Sequence, residues 1–298
     1  MGYKWTEPKA WYNRIYLNFN GKLSVLAKKV EPINTTYQAA SFNVNANVQS
    51  KKLWYLGMFA GYNFMQNDFY EPRKTGWYFN RGSMVIIESW FESNESKKYS
   101  WSADVATNAS IHFYHSFTLN AMFQQNMRFN NKFSLSHQLS LVPKYNDMGY
   151  TYVEGNNDIN FSKRKVNTVE NIISAKYSFT NKMGITFRAR HYLSTVDNKT
   201  FYLLQPDGKL LLNSSFYPNA NQDVNFFNID MVYSWQFAPG SFLNIVWKNA
   251  TQHVNNEVEP SYFKNLSNTL SADNNNNFSL KVIYFLDYLT VKRQLSRH

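Results

Sequence analysis

Cysteine is absent from the chain, proline supplies only 8 residues and glycine 11, and charged side chains make up 17 % of its 298 residues. No run of 18 or more apolar residues occurs, which excludes a helical membrane protein. Without cysteine there is no disulfide scaffold, although that lack fits a reducing cytosol and an exported chain that avoids stray thiols equally well. A disordered chain is excluded by what is present instead: 24 Phe, 21 Tyr and 8 Trp bring aromatics to 18 %, and 39 residues are Asn. Met1 to Lys9 hold neither an apolar segment nor a small-residue cleavage site. No secretory signal is visible, so either the protein is not exported or the numbering starts inside a longer precursor. The length suits one large domain, and no linker or shift in composition marks a second.

Helical spacing is hard to find. Apolar and polar residues alternate with period two instead, which is how a strand with one greasy and one wet face reads. Ile185, Phe187 and Ala189 interleave with Thr186, Arg188 and Arg190, and Phe227, Ile229, Met231, Tyr233 and Trp235 interleave with Asn228, Asp230, Val232 and Ser234. About twelve such segments are expected, over 11–26, 36–49, 53–66, 83–94, 98–112, 117–129, 133–153, 158–179, 183–196, 223–237, 241–254 and 277–288. Many are far longer than the five or six residues usual in soluble domains.

Their connections alternate between two kinds. Gln49 to Lys52, Asn94 to Lys98, Asn130 to Lys132, Thr180 to Lys182 and Ala238 to Gly240 are short, whereas Asn67 to Gly82, Val196 to Gln222 and Asn255 to Asn276 are long. The second of these long loops carries a small hairpin around Gln205-Pro206-Asp207-Gly208, and Asn274 to Asn277 read as low complexity. Tight turns at one end and long loops at the other predict an all-β, antiparallel transmembrane β-barrel of the Gram-negative outer membrane, with its turns and both termini on the periplasmic side. Its partners are then outer-membrane lipid and lipopolysaccharide. Aromatics near the expected strand ends, such as Trp11, Trp54, Tyr177, Phe179, Trp235 and Phe237, fit girdles at the headgroups, with a large aromatic core as the alternative.

If the apolar positions face outward, then Arg14, Asp104, Arg128, Lys144, Glu170, Lys176, Arg188, Arg190, Asp230, Lys248 and Lys281 face inward. Two readings follow. These charges satisfy one another inside the barrel, or Arg188, Arg190, Lys176 and Lys248 form a basic wall that attracts anionic solutes. The net charge of +11 is spread over scattered residues and small clusters such as Lys163-Arg164-Lys165 and Lys292-Arg293, and no nucleic-acid motif accompanies it. Nucleic acid is therefore not an expected partner, and a basic exterior beside an anionic envelope is the plainer explanation. His112 and His115 lack a third ligand at metal spacing, Glu88 and Glu92 lie four apart with nothing marking an acid and base pair, and no catalytic or cofactor motif is present. Neither a metal nor a cofactor is expected.

At Ala238-Pro239-Gly240-Ser241 and Val246-Trp247-Lys248-Asn249, and again at Asn277-Phe278-Ser279-Leu280-Lys281 running into Tyr284-Phe285-Leu286-Asp287-Tyr288, the sequence resembles a known family. It is similar to the C-terminal barrel of Bacteroidota outer-membrane proteins known as domain of unknown function 5916. Gly2-Tyr3-Lys4-Trp5 and Glu95-Ser96-Lys97-Lys98 are similar to patterns there too. The resemblance implies that this chain is the C-terminal part of a longer protein, whose signal peptide and sandwich resembling a family-nine carbohydrate-binding module lie upstream. It also implies two functions: an anchor and passage for envelope or glycan uptake, or a membrane-anchored glycan hydrolase whose working part lies upstream. None of the family's sugar-binding residues falls on a position of this sequence.

Overall fold

The computed structural model describes residues 1–30, 35–152, 158–215, 217–286 and 288. Asp287 and the Lys292-Arg293 cluster lie outside the described residues. Within them the chain forms β1 (Gly2–Trp5), β2 (Tyr12–Val30), β3 (Thr35–Ser50), β4 (Tyr55–Asn63), β5 (Gln66–Asp68), β6 (Phe79–Arg81), β7 (Met84–Glu92), β8 (Tyr99–Ser110), β9 (Phe117–Arg128), β10 (Phe133–Tyr150), β11 (Asn160–Thr180), β12 (Met183–Leu204), β13 (Leu210–Leu212), β14 (Gln222–Ala238), β15 (Ser241–Asn255), α1 (Tyr262–Ser271) and β16 (Asn274–Ile283). Fourteen strands build one antiparallel sheet in the order β1-β2-β3-β4-β7-β8-β9-β10-β11-β12-β14-β15-β16, with β13 added to β12, while β5 and β6 pair separately.

The expected twelve segments are the twelve long strands. The count rises to sixteen among the described residues because β1, β5, β6 and β13 have only three or four residues each, too few to show a period. Three further expectations are corrected. β12 continues eight residues past Val196, because β11 pairs with it as far as Leu203 and β13 adds a second ladder at Tyr202 to Leu204. Asn255 to Asn276 contains a helix. β16 opens three residues before the expected Asn277, at Asn274, since the side-chain oxygens of Asn274 and Asn276 accept from the Asn249 amide and that of Asn276 also from the Trp247 indole.

The sheet is also open, where the alternation predicts a closed barrel. β1 covers Ile15 to Asn18 of β2, and no described residue pairs with the outer edge of β16. Ala238 to Ser241 turns the chain in the least length, with Pro239 in the second position and Gly240 at φ 71° in the third, where a side chain would be strained.

The register fixes two faces over the whole sheet. Ser100, Asn126, Ser136, Ser174, Arg188, Asp230, Lys248 and Asn277 are partners in one unbroken row across eight strands. The next row along, on the other face, runs Tyr99, Met127, Leu135, Ala175, Phe187, Met231, Trp247 and Phe278. One face is polar and the other apolar, yet the apolar face is uncovered: Phe42, Met58, Ile87, Ile173 and Leu280 are 47 to 67 % exposed. No helix among the described residues is long and apolar enough to cross a membrane.

Apolar burial gathers toward the long-loop end. Phe79 of β6 packs against Phe161 of β11 with the rings tilted and their centroids 4.8 Å apart, and Met148, Ile159 and Leu204 complete this cluster. The β5–β6 hairpin is clamped by Asp68, whose carboxylate accepts from Arg81 at 2.8 Å and from the amides of Tyr70 and Glu71. Burial alone would raise the Asp68 pKa, but these donors outweigh it and hold the carboxyl below its ordinary range. A depressed folded pKa means that the clamp is at full strength above the unfolded value of about 3.9 and is lost as pH falls through the folded one. Asp68→Asn is therefore expected to speed hydrogen exchange over residues 66–81 at pH 7, an effect that fades as pH falls through the folded pKa. Phe161→Ala, at a fully buried site, is expected to cost about 3–5 kcal/mol and to open the same loops to protease at neutral pH.

Candidate functional site

The polar face is concave where β8 to β15 cross it. A cavity of about 920 Å³ is lined there by residues of seven strands. Because pairing partners share a face, Arg128, Lys144, Glu170, Lys176, Arg188, Arg190, Asp230, Lys248 and Lys281 all project from this one face, together with Arg14, Glu88 and Asp104. Only five of the nine come together: Arg128, Lys176, Arg188, Asp230 and Lys248 line the cavity, beside Lys97 and Glu95. Lys144 lies at the bulge between Lys144 and Asp147 near the loop end, and Lys281 on the exposed edge strand.

The expected basic wall divides on inspection. Arg190 is bonded to Glu170 and lies over the Tyr192 ring at 5.4 Å, so its charge is compensated. Asp230 is the direct partner of both Arg188 and Lys248, and Lys248 takes it at 3.6 Å. The Arg128 guanidinium donates to the carbonyls of Glu95 and Lys97, where it caps the β7–β8 turn. Among the described residues no ion pair reaches Lys176 or Arg188. Those two cations, with the hydroxyls of Ser134, Ser136, Ser174 and Thr186 beside them, are the part of the cavity equipped to receive an anion.

The matched family model, described as Domain of unknown function (DUF5916), covers residues 1–295. The chain belongs to that family. No curated protein matches it. The family match spans the whole basic cavity and every strand that forms it.

Sequence reasoning did not foresee the Glu170–Arg190 pair, because register sets Glu170 opposite Tyr192 and the ion pair runs diagonally. It placed Arg14 on the inner face but not its contacts: the guanidinium donates to the Tyr55 hydroxyl and lies over the Tyr16 and Tyr55 rings at 5.9 and 5.6 Å. The alternation of Arg14 and Tyr16 on one strand was the available signal. Among the described residues no group of three His, Asp or Glu side chains is placed to hold a metal.

Since the Arg190 side chain is 39 % exposed, its pairing with Glu170 is screened and modest. A double-mutant cycle of Arg190→Gln and Glu170→Gln, read by urea unfolding, is expected to give a coupling of about 0.5–1 kcal/mol.

Proposed function

We propose that this chain is the wall of an outer-membrane β-barrel, closed around its polar face, which anchors an envelope protein of glycan binding or uptake and gives it a water-filled, anion-favouring passage. The single observation that carries this reading is the uncovered apolar face: a sheet of fourteen strands exposing Phe42, Met58, Ile87, Ile173 and Leu280 has no core of its own and needs an apolar solvent. Closure belongs to the proposal because unpaired edge amides cost several kcal/mol each in hydrocarbon. A β-barrel with turns at one end and long loops at the other fits the Gram-negative outer membrane, with lipopolysaccharide as its outer neighbour.

The face assignment is tested by placing one charge on either side. Ile229→Arg and Leu280→Arg are each expected to cost about 2–4 kcal/mol of membrane assembly, read as loss of heat-modifiable gel mobility, whereas Asn228→Arg on the polar face leaves assembly intact. Equal tolerance of both sides would refute the membrane reading.

Conductance in planar bilayers tests the passage. Under a KCl gradient the reversal potential is expected to report anion selectivity that weakens as salt rises, because the Debye length is about 8 Å at physiological ionic strength. Arg188→Gln removes a cation that lines the cavity and should lower that selectivity more than Arg190→Gln, because Arg190 and its partner Glu170 lie outside the cavity lining. Cation selectivity in the unaltered protein would overturn the assignment of a basic passage.

A further inference from the structure

Two glycines of β4 seat aromatic rings on the polar face. By register Gly57 stands between Asn47 of β3 and Trp90 of β7, and Gly61 between Asn43 and Ile86 of the same two strands. A β-carbon on Gly57 would meet Cε2, Cζ2 and Nε1 of the Trp90 indole at 2.0, 2.1 and 2.4 Å. Three ring atoms at such similar distances mean that the indole lies face-down on the glycine, with its other face turned away from the sheet. A β-carbon on Gly61 would likewise meet Cε1 and Cζ of Phe59 at 2.8 and 3.0 Å. The two seats are four residues apart on one strand, about 13 Å.

Hydrogen-bonding groups flank the indole on both sides. Asn43 and Asn45 are tied into a ladder with Asn18 and Asn20. Asn47, beside Gly57, makes no side-chain hydrogen bond among the described residues, so its amide has both donors and an acceptor to offer. On the other side Trp90 shares a concavity of about 210 Å³ with Glu88, Glu92, Ser102 and Asp104, and Asp104 is its direct partner in register. Glu88 and Asp104 hydrogen-bond to each other. Such a bond holds one proton, so the pair carries one negative charge and keeps acceptor oxygens for a further partner. Among the described residues no lysine or arginine lines this concavity.

We infer that this wall is a binding track for an uncharged sugar chain, with one sugar ring stacked on Trp90 and a second contact at Phe59. The C–H groups on one side of a pyranose carry partial positive charge and pack on the electron-rich face of an indole. Hydroxyls around its rim donate and accept, which matches an amide on one side and carboxyl oxygens on the other. An anionic sugar is disfavoured by Glu92 and the Glu88–Asp104 pair, and an apolar ligand would leave those oxygens and the Asn47 amide without partners. This inference rests on the water-filled interior proposed above and adds where in it a glycan is held.

Calorimetric titration of the full chain, folded in detergent, tests it with maltohexaose, xylohexaose and mannohexaose as uncharged probes and tetramethylammonium as a cationic one. At least one hexasaccharide is expected to bind, and to bind more tightly than tetramethylammonium. Trp90→Ala should weaken that sugar about two- to tenfold, and Trp90→Tyr, which restores a flat ring, should recover most of the loss. Gly57→Ala keeps the indole but fills its seat, and should weaken binding as much as Trp90→Ala does. Asn47→Ala breaks no hydrogen bond of the fold, so it stands in for any ring or glycine variant that fails to assemble, with an expected loss of about twofold or more. Binding of none of the three sugars, sugar binding that none of these variants moves, or tighter binding of tetramethylammonium than of any sugar would each overturn the track. A chain that conducts yet binds no sugar loses the track and keeps the passage, and one that binds sugar without conducting keeps the track and loses the passage.

Discussion

Period-two alternation held in register is the constraint on which everything else in this structure depends. A slip of one residue between any two of the long strands would carry every side chain of one strand to the opposite face. The row from Ser100 to Asn277 would then meet the row from Tyr99 to Phe278, and neither water nor an apolar phase would suit the result. Because each face wants a different solvent, the sheet has no interior of its own. The buried apolar side chains, Phe79, Met148, Ile159, Phe161 and Leu204 among them, collect instead toward the long-loop end, where loops fold over the strand tips.

The same register decides which charges on the polar face are compensated. Asp230 stands directly opposite Arg188 on one side and Lys248 on the other, so a single carboxylate faces two cations. Lys248 takes it, and Arg188 is left over. Arg190, one step along the strand, reaches diagonally to Glu170 and is satisfied. Two arginines on one face of one strand thus have different electrostatic characters. Their spacing, identical chemistry and shared side give no hint of the difference.

Much of this fold is legible in the sequence, for a reason that also sets the limit of reading. Alternation is a local property repeated over a dozen or more residues, so all twelve long strands and the wet side of Arg188, Asp230 and Lys248 can be read without knowing any partner. β1, β5, β6 and β13 are too short to carry the signal. α1 hides for another reason: it has only ten residues inside a long polar connection, and its apolar positions Phe263, Leu266 and Leu270 are too few to stand out, with Phe263 78 % exposed while the polar Asn265 and Thr269 are buried. Pro260 and the cap made by Ser261, whose hydroxyl accepts from the Lys264 amide, were the signals present. Whether the sheet closes is absent from any local pattern, because closure depends on edges far apart in the chain.

α1 in turn explains an irregularity of the apolar face. Toward the loop end that face changes character: Ile173 is followed by Asn171, Ala189 by His191, and Phe227 by Asn225 and Asp223. Polar groups there would be costly against lipid unless covered. The helix covers them with matching groups. The Tyr262 hydroxyl accepts from Asn171 at 2.8 Å and shares a 2.9 Å hydrogen bond with His191, while the Asn225 amide donates to Asn265 at 3.1 Å and Asp223 accepts from the Glu259 amide at 2.9 Å. What remains apolar on β14 runs from Phe227 to Trp235, eight steps or about 26 Å along the strand and roughly 20 Å upright at a tilt near 40°. That height approaches the apolar band of an outer-membrane barrel, with Trp235, Phe237 and Tyr284 ringing its lower edge. On the membrane reading, α1 sits at the outer headgroups because its polar contacts are the ones that lipid cannot make.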